Sequence, residues 1–346
     1  MKLGQGDSTH KRLRIGVTPL ARPKTRFTGF WFFLERVLRY SIMTGKAKIE
    51  SLIKNIQKDV LLAPYTTFKI GGPAEYFLVA RTKEELVKAI KTAQDLKIPY
   101  FILGGGSKML ISDRGFSGLV VKTENQECEV RGEKIIAEAG VPLARLVELA
   151  TQNSLSGLEF GVGIPGTIGG AVHNNAGIPK DWIFGWAIGD QIESVTLLMA
   201  DGKIKTVNRK WMEFGYRESR LKRYPQGEKP VILSVVLRLK KAKKATIERL
   251  IKEKVQKRKE KIPPGPSVGC IFKNPPNSYA GLLIDKCGLK GKQIGKAQIS
   301  PRHANFIINL GDAKAEDVLR LINLAKREVR KRFGLELREE VQYLGF

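Results

Sequence analysis

Between residues 50 and 240 the apolar positions switch period several times. Leu86, Val87, Ile90 and Leu96 recur at helical spacing, opened by the capping-box pair Thr82 and Glu85 and stopped by Pro99. Tyr100–Leu103 is a continuous apolar run, which predicts a buried strand feeding Gly104, Gly105, Gly106 and Ser107. Leu119 to Val121 predicts another strand. Residues 129–138 read as a hairpin around Arg131-Gly132, and residues 194–207 as a hairpin turning at Asp201-Gly202. A helix is expected over 143–151 and a strand over 230–239. Helices mixed with antiparallel pairs predict an α+β domain, not a doubly wound sheet.

Residues 244–259 predict a charged connector helix. Beyond it come a helix from about 279 closed by Gly288, a strand over 304–310 and an amphipathic helix over 314–333. Gly334 stands at the C′ position of that last helix, and residues 335–344 alternate as a final strand. The expected division is therefore a basic extension over 1–48, a first domain over 49–242 and a smaller one over 243–346. The extension carries one aromatic run, Phe30 to Phe33, far too short to span a bilayer. It reads as a segment without its own core, or as sequence upstream of a start at Met43. The alternative is an amphipathic helix on a membrane or partner. No apolar signal core follows Met1.

Charge changes this picture most. Across 346 residues the formal net charge is +27, which favours polyanionic partners such as phosphorylated ligands, nucleic acid or an anionic membrane. The basic residues are spread along the whole chain and aromatics are few, unlike a stacking nucleic-acid surface. Cys128, Cys270 and Cys287 are widely spaced, with no CxxC or Cys/His cluster. That pattern suggests no metal and no disulfide framework, and a reducing cytoplasm suits it.

Five segments carry candidate chemistry. The Gly104–Ser107 loop lets backbone N–H groups approach an anion, although it matches neither a Walker loop nor a Rossmann fingerprint. Residues 161–177 hold six glycines among apolar, hydroxyl and amide residues, a composition suited to wrapping a flat cofactor. Residues 214–220, around Tyr216 and Arg217, read equally well as a solvated turn. Cys270, between Gly269 and Ile271 and near Lys273 and Asn274, reads as a poised thiol or as a buried structural cysteine. His303 and Asn305, and Glu339 and Glu340, are individually uninformative.

Taken in order, these segments resemble the UDP-N-acetylenolpyruvoylglucosamine reductase family of flavoenzymes. The residues that carry the resemblance are 65–74, the Gly104 loop, 157–177, Tyr216-Arg217, 269–275 and 303–306. The uninterrupted passage from Asp285 into the C-terminal helix is similar to the shorter subclass, which lacks an inserted tyrosine loop. The resemblance implies a vanillyl-alcohol-oxidase-type (PCMH-type) FAD-binding domain of two subdomains, followed by a smaller α/β substrate-binding domain. It also implies non-covalent FAD, NADPH as hydride donor and UDP-N-acetylglucosamine-enolpyruvate as substrate; a cytoplasmic monomer is expected beside it.

By the same resemblance, hydride passes from flavin N5 to substrate C3. Arg217 polarises the substrate carboxylate, Cys270 stands where a serine usually gives the C2 proton, and Glu340 is the acid that stabilises the enol-like intermediate. Gly104, Gly105, Gly106, Ser107, Gly163, Ile164, Pro165, Gly166, Thr167, Gly169, Gly170 and Asn175 are expected at the cofactor. Tyr216, Lys261, Lys273, Asn274, His303 and Asn305 are expected at the substrate. Lys108 departs from the usual asparagine, and Arg338-Glu339 from the usual Glu-Pro. An acid serving Glu340's role would have to be kept protonated or share a proton, which requires a partly desolvated site. Two readings stand beside this one: another FAD-dependent oxidoreductase of the same fold, and a basic polyanion-binding protein.

Overall fold

Thr82 caps its helix as the sequence predicts: its hydroxyl accepts from the Glu85 amide at 3.1 Å, opening a helix over Lys83–Asp95. A computed structural model describes residues 48–178 and 185–346 of the chain. The expectation for the basic extension lies outside the described residues, apart from Lys48.

The helix Lys83–Asp95 buries Leu86, Ala89, Ile90 and Ala93 against Tyr76, Leu78, Leu119 and Val121. Each large side chain so buried contributes roughly 1.5–3 kcal/mol. The sheet beneath it runs in the order Gln57–Leu61, Pro73–Ala80, Phe116–Thr123, Tyr100–Leu103. Its first pair is antiparallel, but Phe116–Thr123 is parallel to both neighbours. The expected antiparallel pairs are thus joined here by two parallel ones. Pro73–Ala80 is a strand buried on both faces, so it shows no alternation for the sequence to reveal.

The second sheet is wholly antiparallel, in the order Ile204–Asn208, Ile192–Leu198, Val231–Arg238, Lys134–Glu138, Cys128–Arg131. Both predicted hairpins lie in it. The helix Leu143–Gln152 covers it, burying Leu143, Leu146, Val147 and Ala150 in a core shared with Ile135, Val195, Val235 and Leu237.

The connector is a helix over Lys244–Lys261. After it, Gln293–Ile294, Ala297–Ile299 and Ile307–Asn309 form a three-stranded antiparallel sheet. The helix Ala315–Phe333 packs on this sheet with Val318, Leu321, Ile322, Ala325 and Val329, and stops where Gly334 takes φ +67°. The strand expected over 304–310 is shorter because residues 303–306 make a turn, the Phe306 amide donating to the His303 carbonyl at 2.9 Å.

The predicted final strand is shorter as well. Only Gln342–Leu344 is a ladder strand, and it returns across the molecule to lie parallel to Met109–Ile111. Immediately before it, the Glu340 amide donates to the Ile271 carbonyl at 2.7 Å. The tail thereby sits between the glycine loop that precedes Met109 and the Cys270 segment.

Candidate functional site

A cavity of about 1470 Å³ opens where these three parts meet. That exceeds the range usual for one drug-sized ligand, roughly 300–1,000 Å³. One wall is backbone. Residues 104–109 and 163–167 face it from two loops that touch each other. A Cβ on Gly105 would lie 2.4 Å from the Gly166 Cα, and one on Gly106, at φ +62°, would lie 2.2 Å from the Tyr65 carbonyl oxygen. The glycines thus let two loops close on one another as well as approach a ligand. Thr167 caps the short helix Ile168–His173 by accepting from the Gly170 amide at 3.4 Å. Among the described residues, the amides of Gly105, Gly106 and Ser107 donate to no protein acceptor. Unpartnered donors on a cavity wall fit the phosphates and ring edges of a flavin dinucleotide.

The facing corner is made of charged side chains. Glu340, 7% exposed, accepts from Arg217 Nε at 3.0 Å through Oε1 and pairs with Lys108 Nζ at 2.9 Å through Oε2. Arg217 Nη1 donates to the Gly177 carbonyl at 2.7 Å, and the guanidinium lies 5.7 Å from the Tyr216 ring centroid. Among the described residues Nη2 is the part of the fork left for a ligand. Lys222 Nζ donates to the Arg217 carbonyl at 3.0 Å, holding that residue at φ +56°. Lys108 Nζ also donates to the Cys270 carbonyl, at 2.8 Å.

Electrostatics divide the corner's protons. Burial pushes the Glu340 carboxyl up, but Lys108 and Arg217 outweigh it and hold the group below the usual carboxylate range. In this arrangement Glu340 is an anion between two cations. Burial pushes the Cys270 thiol up despite Lys108 and Arg217, so the thiol keeps its proton near neutrality. Burial also pulls down the Lys222 ammonium and the Arg258 guanidinium, both on the cavity wall.

Most predicted residues line the cavity: the three catalytic candidates, Ile164, Pro165 and the glycines of both loops, and Tyr216, Lys261, Asn274, His303 and Asn305. Several do so with their side chains already engaged. Asn305 clamps Phe272, donating to its carbonyl and accepting from its amide, each at 2.9 Å. The Asn274 side-chain Oδ1 accepts from the Ala280 amide at 3.1 Å, while its backbone N–H donates to the Tyr216 hydroxyl at 3.3 Å. Burial pulls the His303 imidazole down, and Nδ1 accepts from the Asn305 amide at 3.2 Å, which leaves Nε2 as the donor for a ligand.

Two predicted residues stand apart from the wall. Asn175 donates to the Gly215 carbonyl at 2.7 Å and accepts from the Gly189 amide at 3.0 Å, so it braces the Arg217 turn instead of facing a cofactor. Lys273 is ion-paired with Glu218. The sequence reading missed Asn174, Lys222, Lys229 and Gln342, all on the wall. Gln342 Nε2 donates to Asn174 Oδ1 at 2.9 Å, a contact between segments far apart in the chain that no local pattern announces. Among the described residues there is no cluster of three metal-ligating side chains, and no helix is long and apolar enough to cross a membrane.

Residues 256–344 match the model of the UDP-N-acetylenolpyruvoylglucosamine reductase C-terminal domain, and residues 74–208 match that of an FAD binding domain. The chain is 43% identical over 292 residues to the UDP-N-acetylenolpyruvoylglucosamine reductase of Caldicellulosiruptor bescii, covering 83% of this chain and 90% of that protein. It is 41% identical over 283 residues to the reductase of the same name from Caldanaerobacter subterraneus subsp. tengcongensis, covering 81% and 91%. The crystal structure of the Thermus caldophilus enzyme superposes with a TM-score of 0.71 at 37% identity, covering 84% of this chain and 100% of that one.

Proposed function

The chain belongs to the UDP-N-acetylenolpyruvoylglucosamine reductase family, and on that premise we propose how its own residues carry out the reaction. It is an FAD-dependent oxidoreductase of α+β architecture with a vanillyl-alcohol-oxidase-type cofactor domain. We take the cofactor-binding part as residues 49–242 and the substrate-binding part as 243–346. FAD, when bound, supplies a hydride carrier between NADPH and the enolpyruvyl ether of UDP-N-acetylglucosamine-enolpyruvate. The amides of Gly105, Gly106 and Ser107, with the loop 163–167, would hold it.

Arg217 and Cys270 do the remaining work. Addition of hydride at substrate C3 drives negative charge through C2 into the carboxylate. The Nη2 edge of Arg217 meets that charge where it develops, its other two nitrogens fixed by Glu340 and Gly177. Cys270 then gives its proton to C2, which completes UDP-N-acetylmuramate. Glu340 serves as the anion that orients Arg217. Lys261, Tyr216 and the Nε2 of His303 contact the substrate, whose diphosphate and carboxylate suit a basic cavity. Asn274 and Asn305 act through the backbone of the Cys270 segment. The enzyme works as a cytoplasmic monomer.

The observation that carries this reading is the buried Glu340 pinned by Arg217 and Lys108 next to a protonated thiol, in the same cavity as unpartnered backbone donors. Purified protein should be yellow, release FAD intact on denaturation, bleach with NADPH, and reoxidise faster with the enolpyruvyl substrate than with oxygen. A colourless protein, or one reoxidised only by oxygen, would refute it.

A further inference from the structure

Lys108 follows the glycine loop in sequence, yet its side chain leaves the loop. Its Nζ donates to the Cys270 carbonyl at 2.8 Å and pairs with Glu340 Oε2 at 2.9 Å. A Cβ on Gly269 would lie 3.5 Å from that nitrogen, so the ammonium sits directly against the Gly269-Cys270 peptide. Holding a long flexible side chain in one geometry costs rotamer entropy, and exposed ion pairs rarely offset it. This pair is not an exposed one: the Lys108 side chain is 28% exposed and the Glu340 side chain 6%.

The groups that face the corner come from every element packed there. Tyr216, Arg217 and Lys222 come from the turn segment, Glu340 from the tail, Cys270 from its loop, and Arg258, which faces Arg217, from the connector helix. Among the described residues, Lys108 is the cation that touches both the Cys270 main chain and the Glu340 carboxylate.

We propose that Lys108 is a positioning residue for the proton-donating step, tying the Cys270 backbone to Glu340 and offsetting the thiolate left after the thiol proton moves to carbon. This rests on the reading of Cys270 as proton donor. In that step the S–H bond breaks, a C–H bond forms at substrate C2, and the S–H electron pair stays on sulfur. The ammonium keeps its own protons throughout.

The sign of the effect is fixed. Lys108 favours the anionic form of both Glu340 and Cys270. Its neutralisation therefore moves both titrations to higher pH. The test uses FAD-loaded Lys108→Met and Lys108→Gln, the second keeping a hydrogen-bond donor without charge, with Lys108→Arg as the conservative rescue. Two quantities are read. The first is the pH profile of flavin reoxidation by the enolpyruvyl substrate. The second, free of turnover, is the pH profile of Cys270 alkylation by iodoacetamide, followed by peptide mass mapping that separates it from Cys128 and Cys287.

Both neutral variants should shift both limbs of the reoxidation profile and the alkylation midpoint upward by roughly one pH unit or more, while Lys108→Arg stays close to wild type. Unshifted profiles overturn the proposal. So does a variant that loses FAD or slows reduction by NADPH, because that would make Lys108 a cofactor contact. If Cys270→Ala reoxidises normally, the underlying reading of the thiol fails instead. A silent thiol variant with unshifted Lys108 profiles removes only the role of Lys108.

Discussion

The two sides of the cavity are built on opposite principles. The glycine side works with backbone amides, carries no charge in residues 104–107 or 163–167, and comes from two loops whose closeness depends on missing side chains. The charged side works with side chains, and its contacts join residues more than a hundred positions apart: Arg217 with Glu340, and Lys108 with Cys270. A flat cofactor asks for shape and many weak donors, which a loop can supply. A developing negative charge asks for a few cations held at fixed positions, which only a tertiary network can supply.

If the two sides are separable, damage to one should leave the other's half-reaction intact. Cys270→Ala should slow substrate reduction by about 10²–10⁴-fold while leaving flavin reduction by NADPH unchanged, because only the proton is lost. Cys270→Ser should remain active, since a hydroxyl carries a proton to the same place. Stopped-flow measurement of each half-reaction decides it, and near-normal reoxidation of the alanine variant would remove the thiol from the chemistry.

Gly105→Ala attacks the other side. Its Cβ would meet the Gly166 Cα, so the loops must separate, at about 1–3 kcal/mol of stability and with weakened FAD retention. Thermal melts with and without added FAD report this, and an unaltered flavin content would mean that the loops yield more easily than their packing implies. Arg217→Lys sharpens the contrast further. Lysine cannot hold Glu340 and the Gly177 carbonyl and also meet a ligand, so reoxidation should fall about tenfold or more and flavin reduction much less. Equal losses in both half-reactions would indicate a folding role instead.

The smallest effect concerns His173, which lines the cavity at the end of the short helix. Burial and the nearby Lys229 and Lys222 push its imidazole down to about 4. An unfolded histidine binds its proton at higher pH than this one, so stability falls as pH drops from the unfolded value towards 4. The loss should be about 1–2 kcal/mol, since the ring still faces the cavity and solvent screens it. Tm measured against pH should be flatter for His173→Gln than for wild type.

What the sequence revealed follows the same division. The Thr82 cap, both hairpins, the glycine stop at Gly334 and the composition of both loops are local, and each is found close to where its pattern put it. The parallel pairing of Pro73–Ala80 was not legible, because a strand buried on both faces has no alternation. Asn175 and Asn305 carried ligand-like chemistry in sequence and spend it on Gly215, Gly189 and Phe272. Amide side chains look the same whether they hold a ligand or a loop. The charge state of Glu340 was likewise invisible, since Lys108 reaches it only after the tail has crossed the molecule.

That crossing also orders events in time. Pairing Gln342–Leu344 with Met109–Ile111 joins segments separated by most of the chain, and closing so long a loop comes with a large entropy loss before any contact forms. The Lys83–Asp95 helix and the two antiparallel hairpins need no such closure. Lys108, Arg217 and Glu340 therefore remain hydrated and unpaired through much of folding, and the anionic centre is among the last things the molecule acquires.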